Sequence, residues 1–81
     1  MYKLLIVDDE EIIREGIKNT CNWKEMNIEV VGTAENGAQA LKIISESGLD
    51  IVLTDICMPG MDGLELARII KANFQVSMLY S

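Results

Sequence analysis

The feature that most constrains the fold is the stretch at residues 49–63, LDIVLTDICMPGMDG, where a short apolar run ends at one carboxylate, Asp55. The chain's only proline, Pro59, follows shortly afterwards, together with Gly60 and Gly63. A nearly continuous apolar run that stops at an acid and then turns is typical of a strand buried on both faces. We therefore predict a strand over residues 49–54 that delivers Asp55 to a loop.

Three other apolar runs lie at residues 2–7, 28–34 and 76–80, and each is predicted to form a strand. Between the four strands, apolar residues recur every three or four positions, as on one face of a helix. Alternating strands and helices with short links require right-handed crossovers, and hence a parallel sheet with helices on both faces. Eighty-one residues leave room for one small domain, so we predict a single α/β domain over residues 1–81.

Acidic and amide side chains indicate where the helices begin. The acids at residues 8–11 open the first helix, with Asp9 as its predicted cap. Asn36 and Asp62 are predicted caps of the next two helices, because Gln and Glu follow them three residues later in a capping-box arrangement. Gly48 is predicted to end the second helix in the left-handed conformation.

Helical spacing also predicts which residues face inward. On the first helix the apolar stripe comprises Ile12, Ile13, Gly16, Ile17 and Cys21, and Trp23 is predicted to pack over the loop that follows. On the second and third helices the predicted inward-facing residues are Ala38, Ala40, Leu41, Ile44, Leu66, Ile69 and Ile70.

Composition excludes several classes of function. The net charge of −6, from 13 acids against seven bases, argues against nucleic-acid binding, which needs a basic face. Because the chain has no histidine, it cannot build a Ser–His or Cys–His pair or a His-ligated zinc site. No apolar run approaches the roughly 18–20 residues of a membrane span. With two distant cysteines and no secretory signal, the expected location is the cytoplasm, with both thiols reduced.

The predicted strand ends bring acids together. Asp8 and Asp9 follow the first strand and Asp55 ends the third, and parallel strands have their carboxyl ends at one edge of the sheet. Three neighbouring carboxylates repel one another unless a proton or a hard divalent cation relieves them, and Mg²⁺ fits. Asp55 could then act as a nucleophile toward a phosphoryl group. The first strand is followed by acids instead of a glycine-rich phosphate loop, which argues against a nucleotide-binding fold.

Each of these acids also has a simpler interpretation. Asp9 and its neighbours could be solvated residues of a helix start, and Asp55 could be a turn residue. Their joint placement at two strand ends favours the site. Thr54 is interpreted as a strand-end residue, and the Cys57 side chain as a small filler without an activating neighbour.

The segments LLIVDDEE, VVGTAENGAQAL and TDICMPGMDG, in this order, resemble the receiver domain of bacterial two-component response regulators over about residues 2–72. Residues 22–37 are similar to the subgroup that usually carries a C-terminal AraC-type DNA-binding domain. The resemblance implies a flavodoxin-like fold with strand order 2-1-3-4, in which the family's fifth strand and last helices have no counterpart within the 81 residues.

The resemblance also implies roles for individual residues. Asp55 would accept a phosphoryl group from the phosphohistidine of a sensor histidine kinase. Asp8, Asp9 and Asp55 would hold Mg²⁺, with the backbone carbonyl of Cys57 as a further ligand. Ser81 would take the place of the family's serine or threonine that contacts the phosphoryl group. Pro59 and Gly63 would shape the loop beside the site.

The family's fifth-strand lysine, which pairs with the phosphoryl group, also has no counterpart here. We therefore expect a partial receiver domain, marginally stable alone, that accepts a phosphoryl group but does not complete the switch. Its fourth strand would be an exposed edge through which copies could dimerise or aggregate. One alternative is an inert or non-phosphorylated interaction fragment. The other is a Mg²⁺-dependent aspartyl phosphatase, which would want an acid where Cys57 stands, so we expect no enzyme activity.

Overall fold

The computed structural model describes residues 1–55 and 62–80. In this part of the chain the strands are β1 (Tyr2–Val7), β2 (Ile28–Ala34), β3 (Ile51–Thr54) and β4 (Ser77–Tyr80). The helices are α1 (Glu11–Thr20), α2 (Gly37–Glu46) and α3 (Gly63–Asn73), with a 3₁₀ helix at Trp23–Met26 between α1 and β2. β1 and β2 have the predicted bounds, whereas β3 and β4 begin two residues and one residue later than predicted.

The four strands form one parallel sheet in the order β2-β1-β3-β4, which confirms the predicted fold class. The chain moves outward from β1 to β2 and then back across β1 to β3 and β4. Because each crossover between parallel strands is right-handed, this reversal places α1 on one face of the sheet and α2 and α3 on the other. The carboxyl ends of β1 and β3 are neighbours at the point of reversal.

The hydrophobic core lies between the sheet and the helices α2 and α3. Its buried members are Leu5, Val7, Ala34, Ala40, Ile44, Leu49, Val52, Leu66 and Ile70. Leu41, Ile43, Phe74, Val76 and Met78 are partly buried against them. On α2 and α3 the predicted inward residues are buried or half-buried, except Ala38, which is exposed. The buried positions Gly37, Ala40 and Ile44 follow the helical repeat, and Ala38 lies about 100° around the helix from Gly37.

The amino-terminal caps of α2 and α3 are confirmed. The Gln39 N–H donates to the Asn36 side-chain oxygen over 2.8 Å, and the Glu65 N–H donates to the Asp62 carboxylate over 2.8 Å. The predicted left-handed stop at Gly48 is wrong. α2 ends in extended backbone at Ser47, whose N–H already donates to the Ile43 carbonyl, so no left-handed residue is needed there.

The opposite face of the sheet is covered differently. Leu4 and Ile6 of β1 are fully buried there, but α1 itself has no buried residue. The predicted apolar stripe exists and lies on an open groove of about 330 Å³, lined by Ile12, Ile13, Gly16, Ile17, Thr20 and Cys21. Ile12 is 85% exposed and Ile13 is 43% exposed, whereas Ile17 of the same stripe is half-buried.

Two polar contacts tie α1 to its surroundings. The Arg14 guanidinium donates to the Asp8 carbonyl oxygen over 2.8 Å, and the Trp23 indole N–H donates to the Ile17 carbonyl over 3.2 Å. Ile17 lies in the last turn of α1, where carbonyls lack partners within the helix. The prediction that Trp23 packs over the following loop is therefore incomplete, because the indole turns back to satisfy the end of α1.

β2 contains an extra residue relative to β1. The register runs Leu4 opposite Val30 and then Leu5 opposite Gly32, so Val31 is bulged out of the pairing. Val7 is consequently paired with Ala34, whose small side chain is buried in the core. The bulge thus decides which side chain of β2 reaches the core at the site end of the sheet.

Candidate functional site

The candidate site begins where β1 and β3 end side by side. Val7 is paired with Thr54, and the next residue of each strand continues the ladder by one bond. The Asp55 N–H donates to the Val7 carbonyl over 3.1 Å, and the Asp8 N–H donates to the Ala34 carbonyl over 3.0 Å. The backbones of both aspartates are therefore held by the sheet, and their side chains leave from its carboxyl edge.

The structure brings the three predicted aspartates together. One carboxylate oxygen from each of Asp8, Asp9 and Asp55 lies within 4.8 Å of the other two. Asp8 is buried, with only 4% of its surface exposed, Asp55 is half-buried and Asp9 is exposed. The cluster therefore has a desolvated side and a side open to solvent, through which a ligand could enter.

The surroundings of Asp8 change the pKa of its carboxyl group. Burial raises the pKa of its carboxyl group, and the negative charges of Asp55 and Asp9 raise it further. The Glu10 N–H donates to the Asp8 carboxylate over 3.0 Å, which acts in the opposite direction on this pKa without cancelling the rise. The surroundings of Asp8 thus disfavour its ionised form, and a bound cation would stabilise that form.

The predicted cap of α1 by Asp9 is wrong. The residue at the cap position is Glu10, which has extended backbone and makes no side-chain capping bond. The Asp8 carboxylate instead accepts the Glu10 N–H, two residues ahead in the chain, as in an Asx turn. As a result the Asp9 side chain is not used at the helix start and lies beside the other two carboxylates.

The donor set fits a hard divalent cation. Three carboxylates supply oxygen atoms, which Mg²⁺ prefers as ligands, and they lie close enough to share one ion. Burial is the main cause of the raised pKa of Asp8, and the mutual repulsion of the carboxylates adds to it; the charge of the ion would offset this repulsion. The residues present therefore fit the magnesium ion that the sequence led us to expect.

Two neighbours of the cluster complete the described site. The Thr54 hydroxyl is fully buried at the end of β3, as expected of a strand-end residue, and donates to the Asp55 carbonyl over 3.1 Å. Arg14 was missed by sequence reasoning, although a lone base six residues after Asp8 was an available signal. Cys57, Pro59 and Ser81 lie outside the described residues, and their predicted roles stay predictions.

A parallel sheet in the order 2-1-3-4 with acids at the ends of its first and third strands defines a class of signalling domain. The family model described as "Response regulator receiver domain" matches residues 4–79, and the chain belongs to this family. The resemblance drawn from the sequence motifs is thereby confirmed.

Relatives place the chain among regulators of the AraC and YesN type. It is 43% identical over 72 residues to the uncharacterized transcriptional regulatory protein YesN of Bacillus subtilis, covering 89% of this chain and 20% of that protein. The chain thus spans a fifth of that relative's length.

Solved structures agree with these relatives. The REC domain of AraT, a response regulator from Geobacillus stearothermophilus, has a TM-score of 0.89 and 41% identity, covering 98% of this chain and 62% of that one. A two-component transcriptional regulator AraC from Clostridium phytofermentans has a TM-score of 0.88 and 34% identity, covering 99% of this chain and 63% of that one. The 81 residues therefore correspond to about three fifths of each of these chains.

None of the helices in the described residues combines the length and the apolar character needed to cross a lipid bilayer.

Proposed function

We propose that this chain is a phosphoacceptor in a two-component phosphorelay, with Asp55 as the acceptor and Mg²⁺ as the required cation. The observation that carries the proposal is the convergence of Asp8, Asp9 and Asp55 from two strand ends to within 4.8 Å. Membership of the receiver family supports it. Receiver domains are not generally enzymes, and we propose no catalytic turnover for this one.

The chemistry proposed for Asp55 is one phosphoryl transfer. A carboxylate oxygen of Asp55 attacks the phosphorus of a phosphohistidine, so that a P–O bond forms and the P–N bond breaks. The imidazole leaves with the bonding electron pair and takes up a proton from solvent, and Asp55 becomes an acyl phosphate. A bound magnesium ion would supply positive charge to offset the carboxylates and the phosphoryl oxygens.

The other residues hold the acceptor in place. The Val7 carbonyl anchors the Asp55 N–H, and the buried Thr54 hydroxyl anchors its carbonyl, so the Asp55 backbone is bonded on both sides. Asp8 and Asp9 are the proposed magnesium ligands on the β1 side, with the Cys57 carbonyl as a proposed further ligand. Ser81 is the proposed hydroxyl contact to the phosphoryl group.

The proposed partner is a sensor histidine kinase, and the proposed location of the chain is the cytoplasm. Although YesN carries the name of a transcriptional regulator, we propose no nucleic-acid contact by residues 1–81, because their net charge is −6.

β4 forms an edge of the sheet and exposes Leu79 and Tyr80, so we propose that copies can associate there. Sedimentation over a range of concentrations tests this association, and a monomer throughout would contradict it.

The test of phosphorylation is incubation with acetyl phosphate and Mg²⁺, followed by intact-mass measurement. We expect a gain of one phosphoryl group that is lost in Asp55→Asn and when Mg²⁺ is chelated. The matched control is Asp50→Asn, at the opposite end of β3, where the carboxylate accepts the Lys3 N–H and faces no acidic cluster. This variant should be phosphorylated like the unaltered chain.

The outcome also separates the alternatives. No mass gain by folded protein would contradict the proposal and favour a non-phosphorylated interaction module. Release of phosphate over many turnovers would instead indicate an aspartyl phosphatase.

A further inference from the structure

Arg14 is the side chain through which α1 contacts the acidic cluster. It is half-buried on a helix whose other residues, apart from Ile17, are exposed. Its guanidinium reaches back across the helix start and donates to the Asp8 carbonyl oxygen over 2.8 Å. The acceptor is a backbone atom, so the contact acts on the position of the Asp8 main chain.

Three hydrogen bonds link Asp8 to β2, to the start of α1 and to the body of α1. Its N–H donates to the Ala34 carbonyl of β2, its carboxylate accepts the Glu10 N–H, and its carbonyl accepts the Arg14 guanidinium. The first bond ties Asp8 to the sheet, and the second ties it to Glu10, the residue at the cap position of α1. The bond from Arg14 is the one that reaches past the helix start into the body of α1. Together the three bonds set the direction in which the buried carboxylate leaves the backbone.

We propose that Arg14 is a positioning residue for the metal site, coupling the attachment of α1 to the geometry of Asp8. The inference rests on the proposed function, in that Asp8 is taken as a magnesium ligand. α1 has no buried residue, and this contact is one of the two polar contacts described above that tie the helix to its surroundings. Coupling between two sites is reciprocal, so a cation that fixes Asp8 should also make α1 more resistant to local opening.

A purely electrostatic role for Arg14 makes the opposite prediction. A guanidinium carries a positive charge, and a positive charge beside three carboxylates opposes the entry of a cation. If charge alone mattered, removing Arg14 would strengthen Mg²⁺ binding, and Arg14→Lys would leave it unchanged. If positioning matters, both substitutions weaken binding, because a lysine has neither the reach nor the planar fork of arginine.

The experiment compares Mg²⁺ affinity, measured by titration calorimetry, in the unaltered 81-residue chain, Arg14→Met and Arg14→Lys. The matched control is Arg68→Met, which removes the chain's other arginine from an exposed position on α3. Circular dichroism fixes a temperature at which each chain is folded. We expect Arg14→Met to bind at least about 5-fold more weakly, the lower end of typical coupling, with Arg14→Lys in between and Arg68→Met unchanged.

Hydrogen exchange measures whether Mg²⁺ binding stabilises α1. If Arg14 only stabilised the fold, removing it would not change the effect of Mg²⁺ on amide exchange in α1. Saturating Mg²⁺ should slow amide exchange along α1 in the unaltered chain and in Arg68→Met, and this added protection should be absent in Arg14→Met. If Arg14→Met does not fold, the comparison of Arg14→Lys with the unaltered chain decides by the same two measurements.

The outcomes distinguish the inference from the proposed function. Equal or tighter Mg²⁺ binding by the Arg14 variants, with normal binding by the unaltered chain, overturns the positioning role and leaves the phosphoacceptor proposal standing. Absence of Mg²⁺ binding by the folded, unaltered chain overturns both.

Discussion

The two faces of the sheet hold their helices by different means. On one face, α2 and α3 bury apolar side chains in a common core, and each begins at a side-chain cap. On the other face, α1 buries none of its residues, begins without a side-chain capping bond, and is attached through Arg14 and Trp23. The first face buries side chains from both the sheet and its helices, whereas the second buries Leu4 and Ile6 of β1 and attaches α1 by polar contacts.

This difference concerns function because the candidate site lies where the faces meet. Asp55 and Asp8 both follow strands that contribute to the core, but Asp8 also leads into α1, which has no buried residue. Elements with few buried apolar contacts open locally at lower free energy than the core. We therefore expect a ligand at the cluster to change the local opening of α1 more than that of α2 and α3.

The difference in packing between the two faces is tested most directly by making the same substitution on a helix of each face. Ile70→Ala on α3 removes a fully buried side chain and should cost about 2–5 kcal/mol in the free energy of unfolding. Ile12→Ala on α1 removes the same atoms from a side chain that is 85% exposed and should change stability by no more than about 0.5 kcal/mol. Urea unfolding followed by circular dichroism measures both. Comparable losses in the two variants would show that α1 is packed as firmly as α3.

The helix caps provide a smaller contrast. Asn36→Ala removes the side chain that accepts the Gln39 N–H at the start of α2 and should cost about 1 kcal/mol. Glu10→Ala at the start of α1 removes no capping bond, so its cost should stay below about 0.5 kcal/mol. Urea midpoints again give the two values. A cost for Glu10→Ala that matches Asn36→Ala would contradict the contrast.

Asp8→Asn tests the electrostatic cost of an ionised Asp8 separately from the packing of α1. In the folded chain the pKa of Asp8 is raised, so the folded state disfavours the ionised form. Asp8→Asn keeps an oxygen acceptor for the Glu10 N–H but removes the charge. Without metal at about pH 7, the variant should be more stable by about 0.5–2 kcal/mol, the range common for removing an unfavourable feature.

The pH dependence gives the sign of this effect. A group whose pKa is raised on folding contributes its stability fully below its unfolded pKa, and this contribution is lost as the pH rises through the folded value. The advantage of Asp8→Asn should therefore shrink as the pH falls toward about 4, near the ordinary pKa of aspartate. Saturating Mg²⁺ should reverse the order of the two stabilities, because only the unaltered chain retains the full set of carboxylates. A pH-independent difference would contradict the raised pKa.

The sequence predicted most of the packed face and the position of the cluster. Caps at Asn36 and Asp62 were recognisable because the accepting side chain and the donating N–H are three residues apart, and local geometry alone decides such bonds. The meeting of Asp8 with Asp55 followed from topology, since parallel strands end at a common edge.

The failures fall where local rules compete with tertiary structure. Any of the four consecutive acids at residues 8–11 could cap α1. In the structure the Asp8 N–H is bonded to the Ala34 carbonyl of the sheet, and the Asp8 carboxylate accepts the Glu10 N–H at the helix start. Glycine is the residue type expected where a helix ends in the left-handed conformation, which led to the prediction for Gly48. The structure instead ends α2 in extended backbone at Ser47. Arg14 was overlooked because a surface arginine near acids is common, and only the structure shows that its acceptor is a carbonyl oxygen.

The bulge at Val31 makes the site sensitive to the count of residues in β2. Seven residues of β2 span six of β1, and this difference brings the Ala34 carbonyl level with the Asp8 N–H. Deleting Val31 would leave every charged residue of the site in the sequence, but two registers would then compete. Ala34 stays opposite Val7 if β2 pairs regularly with β1, whereas Glu35 moves opposite Val7 if the bulge is kept. One residue of a strand far from Asp55 in sequence thus selects the alignment of the backbone at Asp8.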